Sequence, residues 1–88
     1  MLNKKHQSTL KAIFALPIKS GIQWKAIEAL LLALGAELSE GRGSRLRIVL
    51  NHRKAVFHRP HPQKETDKGA VVSIKRFLQE AGVSNVKI

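Results

Sequence analysis

Apolar residues recur along this chain first at helical spacing and then at strand spacing. Between residues 4 and 16, Leu10, Ile13 and Phe14 fall on one face, Asn3 stands where an N-cap side chain would, and Pro17 bars continuation; the pattern predicts a short helix. Lys19, Ser20 and Gly21 read as a turn. A second helix is predicted from about Gln23 to Leu34, where Trp24, Ile27, Leu30, Leu31 and Leu34 line one face and Gly35 supplies a left-handed C-terminal cap. Trp24 lies on that apolar face, which assigns it to the core rather than to a base-stacking surface.

Beyond Gly35 the apolar period drops from 3.6 to 2. Ala36 to Ser39 fits a short strand and Gly41-Arg42-Gly43 a flexible turn. In the strand Ser44 to Leu50, Leu46, Ile48 and Leu50 face a core while Arg45 and Arg47 point away. The hairpin turn falls at Asn51-His52 or His52-Arg53, although neither pair carries the glycine that favours a tight primed turn. Residues 54 to 58 return as a strand, and Pro60 and Pro62 forbid its extension as a central strand. Thr66 or Asp67 caps a last helix with the stripe Val71, Ile74, Leu78 and Ala81, closed by Gly82. The expected class is α+β in the order α-α-β-β-β-α. Because each helix has one apolar face, the helices pack on one side of a three-stranded antiparallel sheet and leave the face with Arg45 and Arg47 to solvent.

With 88 residues the chain supports a single domain, 1–88, around one core. Its 43% apolar content argues against wholesale disorder, and no apolar run approaches the roughly 20 residues of a membrane-spanning helix. The start, MLNKKHQST, has no signal-peptide apolar segment, and the absence of cysteine removes both a disulfide framework and a thiol nucleophile. The expectation is a cytoplasmic protein with no membrane contact. Charge says more. Sixteen Lys and Arg against six acids give a formal net charge of +10, which points to a polyanionic or acidic partner. From Gly41 to Lys64 the chain holds Arg42, Arg45, Arg47, Arg53, Lys54, Arg59 and Lys64, three histidines and no acid.

Several of these segments are shared with a known family. A helix ending LLLALGAEL, the Gly43-Ser44 step into a strand, a strand running into a His-Pro segment, and ETDKGAVVSIKRFLQEAGV together resemble the HicA toxins of toxin-antitoxin modules. The resemblance covers about residues 20–84, is closest at Lys68-Gly69 and the helix after it, and leaves residues 1–19 outside as an extra N-terminal helix. It implies a double-stranded-RNA-binding-domain-like fold, an endoribonuclease that cuts messenger RNA, and silencing by a HicB-like antitoxin protein. In that family the glycine-serine step is followed by the histidine regarded as catalytic; here Arg45 stands there. Arginine stays protonated and is no general base near neutral pH. Three readings follow: proton transfer moved to His58 or His61, RNA binding without cutting, or an inactivating replacement.

Metal-independent RNA cleavage needs one group to take the 2′-hydroxyl proton, another to protonate the leaving 5′-oxygen, and a cation to stabilise the phosphorane. Histidine suits both proton transfers, so His61, with His58 as its partner, is the candidate catalytic pair; exposed residues or phosphate contacts are the alternative. No third ligand at recognisable spacing accompanies the two, and no metal or other cofactor is expected. Arg45 and Arg47 are suited to bidentate phosphate contacts. Arg42, Ser44, Arg59 and Lys64 extend the candidate RNA-binding set, and Lys68 joins it at the start of the last helix, where free backbone N–H groups favour phosphate.

Overall fold

The computed structural model describes residues 2–60 and 64–84. Its elements run α1 (Lys4–Phe14), β1 (Ile22–Gln23), α2 (Trp24–Ala33), β2 (Glu37–Glu40), β3 (Arg45–Leu50), β4 (Arg53–His58), β5 (Glu65–Thr66) and α3 (Lys68–Glu80). The α+β order is the expected one, with two short strands added.

Helix ends follow local chemistry. Asn3 Oδ1 accepts the His6 N–H at 2.8 Å and starts α1. At the end of α2, Ala36 N–H donates to the Leu31 carbonyl and Gly35 N–H to that of Leu32, both at 3.0 Å, while Gly35 takes φ +94°. This paired arrangement satisfies the last carbonyls, and it needs a residue at ease in the left-handed region. Asp67 rather than Thr66 caps α3, its Oδ1 accepting the Ala70 N–H at 2.7 Å.

The main sheet has the order β2-β3-β4, antiparallel throughout. Leu50 pairs with Arg53, so Asn51 and His52 alone form the turn, at φ +50° and +67°. Both residue types enter the left-handed region more readily than most, which accounts for a primed turn without glycine. Asn51 also anchors the turn, because its Nδ2 donates to the Ala81 carbonyl at the end of α3 at 2.7 Å. Between β2 and β3, Gly41 N–H donates to the Arg45 carbonyl at 2.9 Å, and a Cβ on Gly41 would stand 3.0 Å from that of Arg45. A side chain there would need Arg45 to give way by a few tenths of an ångström.

β1 and β5 form a second, two-stranded sheet through Ile22↔Thr66 and Gln23↔Glu65. It is extended by Gly21 N–H to the Thr66 carbonyl at 3.2 Å and Trp24 N–H to the Lys64 carbonyl at 2.9 Å. The start of α2 is thus tied to the segment that precedes α3. α1 packs against both α2 and α3, with Leu10 and Ile13 fully buried in the same cluster as Ile27, Leu31, Ile48 and Ile74. Trp24 is buried in that core, as its helical position predicts. Phe57 of β4 meets Phe77 of α3 edge to face, with centroids 5.9 Å apart. Among the described residues no helix is long and apolar enough to cross a membrane.

Candidate functional site

Alternation along β3 buries Leu46, Ile48 and Leu50 and exposes Arg45 and Arg47. The register with β4 then decides what the arginines face: Arg45 lies opposite His58, Arg47 opposite Val56, and Val49 opposite Lys54. Arg59 N–H donates to the Ser44 carbonyl at 2.9 Å, so 44 and 59 form a hydrogen-bonded pair. Their neighbours Arg45 and His58 therefore form a non-hydrogen-bonded pair, the kind with Cα atoms about 4.5 Å apart and the closest side chains. Both side chains are exposed on the open face. Lys54 joins them there, which strand period predicts once His58 is placed outward. Ser39, Arg47, Val49, Lys54 and Val56 line a shallow concavity in the middle of this face.

Arg59 turns to the other side. Its Nε donates to Glu28 Oε2 at 2.8 Å, its Nη2 to Glu28 Oε1 at 3.3 Å, and its Nη1 to Glu40 Oε1 at 2.7 Å. Glu28 also accepts the Trp24 Nε1–H. One guanidinium thus joins the end of β4 to α2 and to the edge strand β2. Hydrogen bonds from Arg59 hold the Glu40 carboxyl below its ordinary range, and the two carboxylates, Glu40 foremost, raise the Arg59 pKa. Three of the five N–H donors of Arg59 are engaged within the chain, and on the open face Arg45, Arg47 and Lys54 form no ion pair among the described residues. Sequence offered no signal for this clamp, since its partners lie 31 and 19 residues away.

The other candidates are dispersed. Arg42 is exposed in the turn before β3, and its carbonyl accepts the Arg45 N–H at 3.2 Å. Ser44 is exposed at the start of that strand. Lys64 lies with the start of α2 through its carbonyl. Lys68 is exposed in the first turn of α3, where the helix's own Asp67 carboxylate already occupies one free N–H. His61 falls outside the described residues. Among those described, no three His, Cys, Asp or Glu side chains gather into a group that could hold a metal ion.

The fold and the open face define a small, strongly basic α+β domain whose exposed sheet carries arginine beside histidine. Residues 24–83, more than half of the chain, match the family described as HicA toxin of bacterial toxin-antitoxin, and the chain belongs to that family. Comparison with curated proteins and with solved structures gave no match. Membership makes this a toxin of a toxin-antitoxin system, with a cognate antitoxin as its partner. The family match begins at Trp24 and so excludes α1, although α1 supplies two of the most deeply buried side chains.

Proposed function

We propose that this toxin binds messenger RNA on the open face of β2-β3-β4 and cuts it by acid-base catalysis without a metal. The observation that carries the reading is the pairing of Arg45 with His58 on an exposed face that also bears Arg47 and Lys54. Imidazole takes and gives a proton near neutral pH, whereas guanidinium holds phosphate oxygens in bidentate fashion and keeps its charge. In this assignment His58 and His61 share the two proton transfers, and Arg45 stabilises the phosphorane where the family's histidine stands. Arg42 and Ser44 flank the same strand, and Lys64 and Lys68 are assigned further RNA contacts apart from it. An acidic HicB-like antitoxin would silence the toxin by covering the open face, with association accelerated by the charge. The second reading, RNA binding without cutting, is favoured by Arg45 itself, which cannot abstract a proton.

The two readings part in one experiment. The chain is expressed without antitoxin while growth and bulk messenger RNA are followed, beside His58→Ala, His61→Ala and Arg45→Ala. Cleavage by purified protein should survive EDTA and fall about 10²–10⁴-fold in the histidine variants with little change in RNA affinity. Arg45→Ala should chiefly weaken binding and flatten its salt dependence. Undiminished toxicity in the His58→Ala, His61→Ala double variant defeats the catalytic assignment. Wild-type protein that binds RNA without shortening it selects the second reading.

A further inference from the structure

A second cationic site lies away from the β2-β3-β4 face, where α1 meets the first turns of α2. The groove between them is lined by Lys5, His6 and Thr9 of α1, by Gln23, and by Lys25, Ala26 and Ala29 of α2. Lys5 and Lys25 come from separate helices and are both exposed. Neither has a carboxylate partner, because among the described residues Arg59 alone forms ion pairs. No acid is among the residues that line the groove: α1 contains none, Glu28 is held by Arg59 and Trp24, and Asp67 caps α3, while Glu65, exposed opposite Gln23 in the β1-β5 ladder, is the carboxylate at its edge. The rest of the lining includes the small residues Thr9, which is buried, Ala26, half-buried, and Ala29, exposed. The Lys64 carbonyl accepts the Trp24 N–H beside it, so the backbone bearing Lys64 meets the end of the groove next to Lys25.

We propose that this groove is a second phosphodiester-binding site, which holds RNA beyond the stretch gripped by Arg45 and Arg47. The inference rests on the RNA-binding reading above. Two unpaired lysines facing across a gap neutralise a passing phosphate, and alanine-sized residues between them let the ribose approach closely. An amphipathic helix from an acidic protein fits less well, since it needs a row of apolar pockets spanning two turns. Here the large exposed apolar residue farther along α2, Leu32, lies outside the groove lining.

The test is fluorescence anisotropy with RNA carrying 2′-O-methyl groups throughout, which removes the nucleophile and prevents cutting. The molecule is 35 Å long. At about 3.4 Å per stacked nucleotide, an RNA of about 24 nucleotides outruns it, whereas one of about four falls short of it even with its backbone extended. Lys5→Gln/Lys25→Gln should bind the long RNA about 5- to 30-fold more weakly, with a log-log salt slope shallower by about 1–2, and should bind the short one nearly as wild type does. Lys11→Gln/Arg76→Gln removes the same charge from exposed positions outside the groove and should change little. Unaltered affinity of the groove variant for long RNA overturns the proposal, as does an equal loss in the control variant. If the groove variant binds normally while Arg45→Gln/Arg47→Gln does not, the groove alone is refuted. Wild-type protein that binds neither RNA removes the RNA-binding reading and the groove with it.

Discussion

Although α1 precedes the family match, its packing predicts that the fold cannot do without it. Ile13 is 0% exposed and Leu10 is 1% exposed, in contact with a cluster that includes residues of α2, β3 and α3. Truncating Ile13 to alanine removes buried carbon and leaves a cavity, at a cost of about 2–5 kcal/mol; Ile13→Val should cost about 0.5–1.5 kcal/mol. A chain of 88 residues is typically stable by roughly 4–13 kcal/mol, so the alanine variant forfeits a large share of the total. At about 4–8 °C per kcal/mol for a domain of this size, Tm should fall by roughly 8–40 °C for Ile13→Ala and by about 2–12 °C for Ile13→Val. Leu16→Ala, at a side chain 77% exposed, should stay within about 0.5 kcal/mol of wild type. Thermal and urea unfolding would be followed in parallel by far-UV circular dichroism and by fluorescence of Trp24, the sole tryptophan and part of the same core. The reasoning fails if Ile13→Ala unfolds with wild type. It fails equally if helix signal is lost in a separate early transition while Trp24 remains in place, because α1 would then be an appendage.

Three further outcomes follow from single contacts. Asn51→Ala loses both the bond to the Ala81 carbonyl and a residue suited to φ +50°; it should cost about 1–3 kcal/mol by urea unfolding, and Asn51→Gly should recover the backbone part. Thr66 Oγ1 is buried with no hydrogen-bond partner among the described residues, so Thr66→Val should be neutral or stabilising by up to about 1 kcal/mol, and a marked loss would contradict that environment. Because Arg59 holds the Glu40 carboxyl below its ordinary range, the stability that Glu40 contributes is present above the ordinary value of about 4.3 and is lost as pH falls through the lower folded value. Urea midpoints of Glu40→Gln and wild type should therefore differ near neutral pH and converge in acid, and a difference unchanged with pH would refute the coupling.

Features set within a few residues of chain were legible in the sequence. The caps at Asn3, Gly35 and Gly82 lie beside the groups they satisfy, and period-2 alternation puts Arg45 and Arg47 on one face of β3 whatever the strand pairs with. The β1-β5 ladder was not legible, because two-residue strands carry no period and meet only when α2 and α3 have been brought together. The Arg59 clamp joins three elements through side chains, and spacing along the chain does not encode such a meeting. The candidate site divides in the same way. Alternation places His58 on the open face in either register, but a turn at His52-Arg53 would have set it opposite Arg47. The turn at Asn51-His52, anchored by Asn51 to the end of α3, sets it opposite Arg45 instead. The sequence alone therefore determined which face carries the charge, since side-chain direction is a property of the strand. Tertiary structure decided which cation stands beside the imidazole, because register is fixed by the turn and by the helix that holds it.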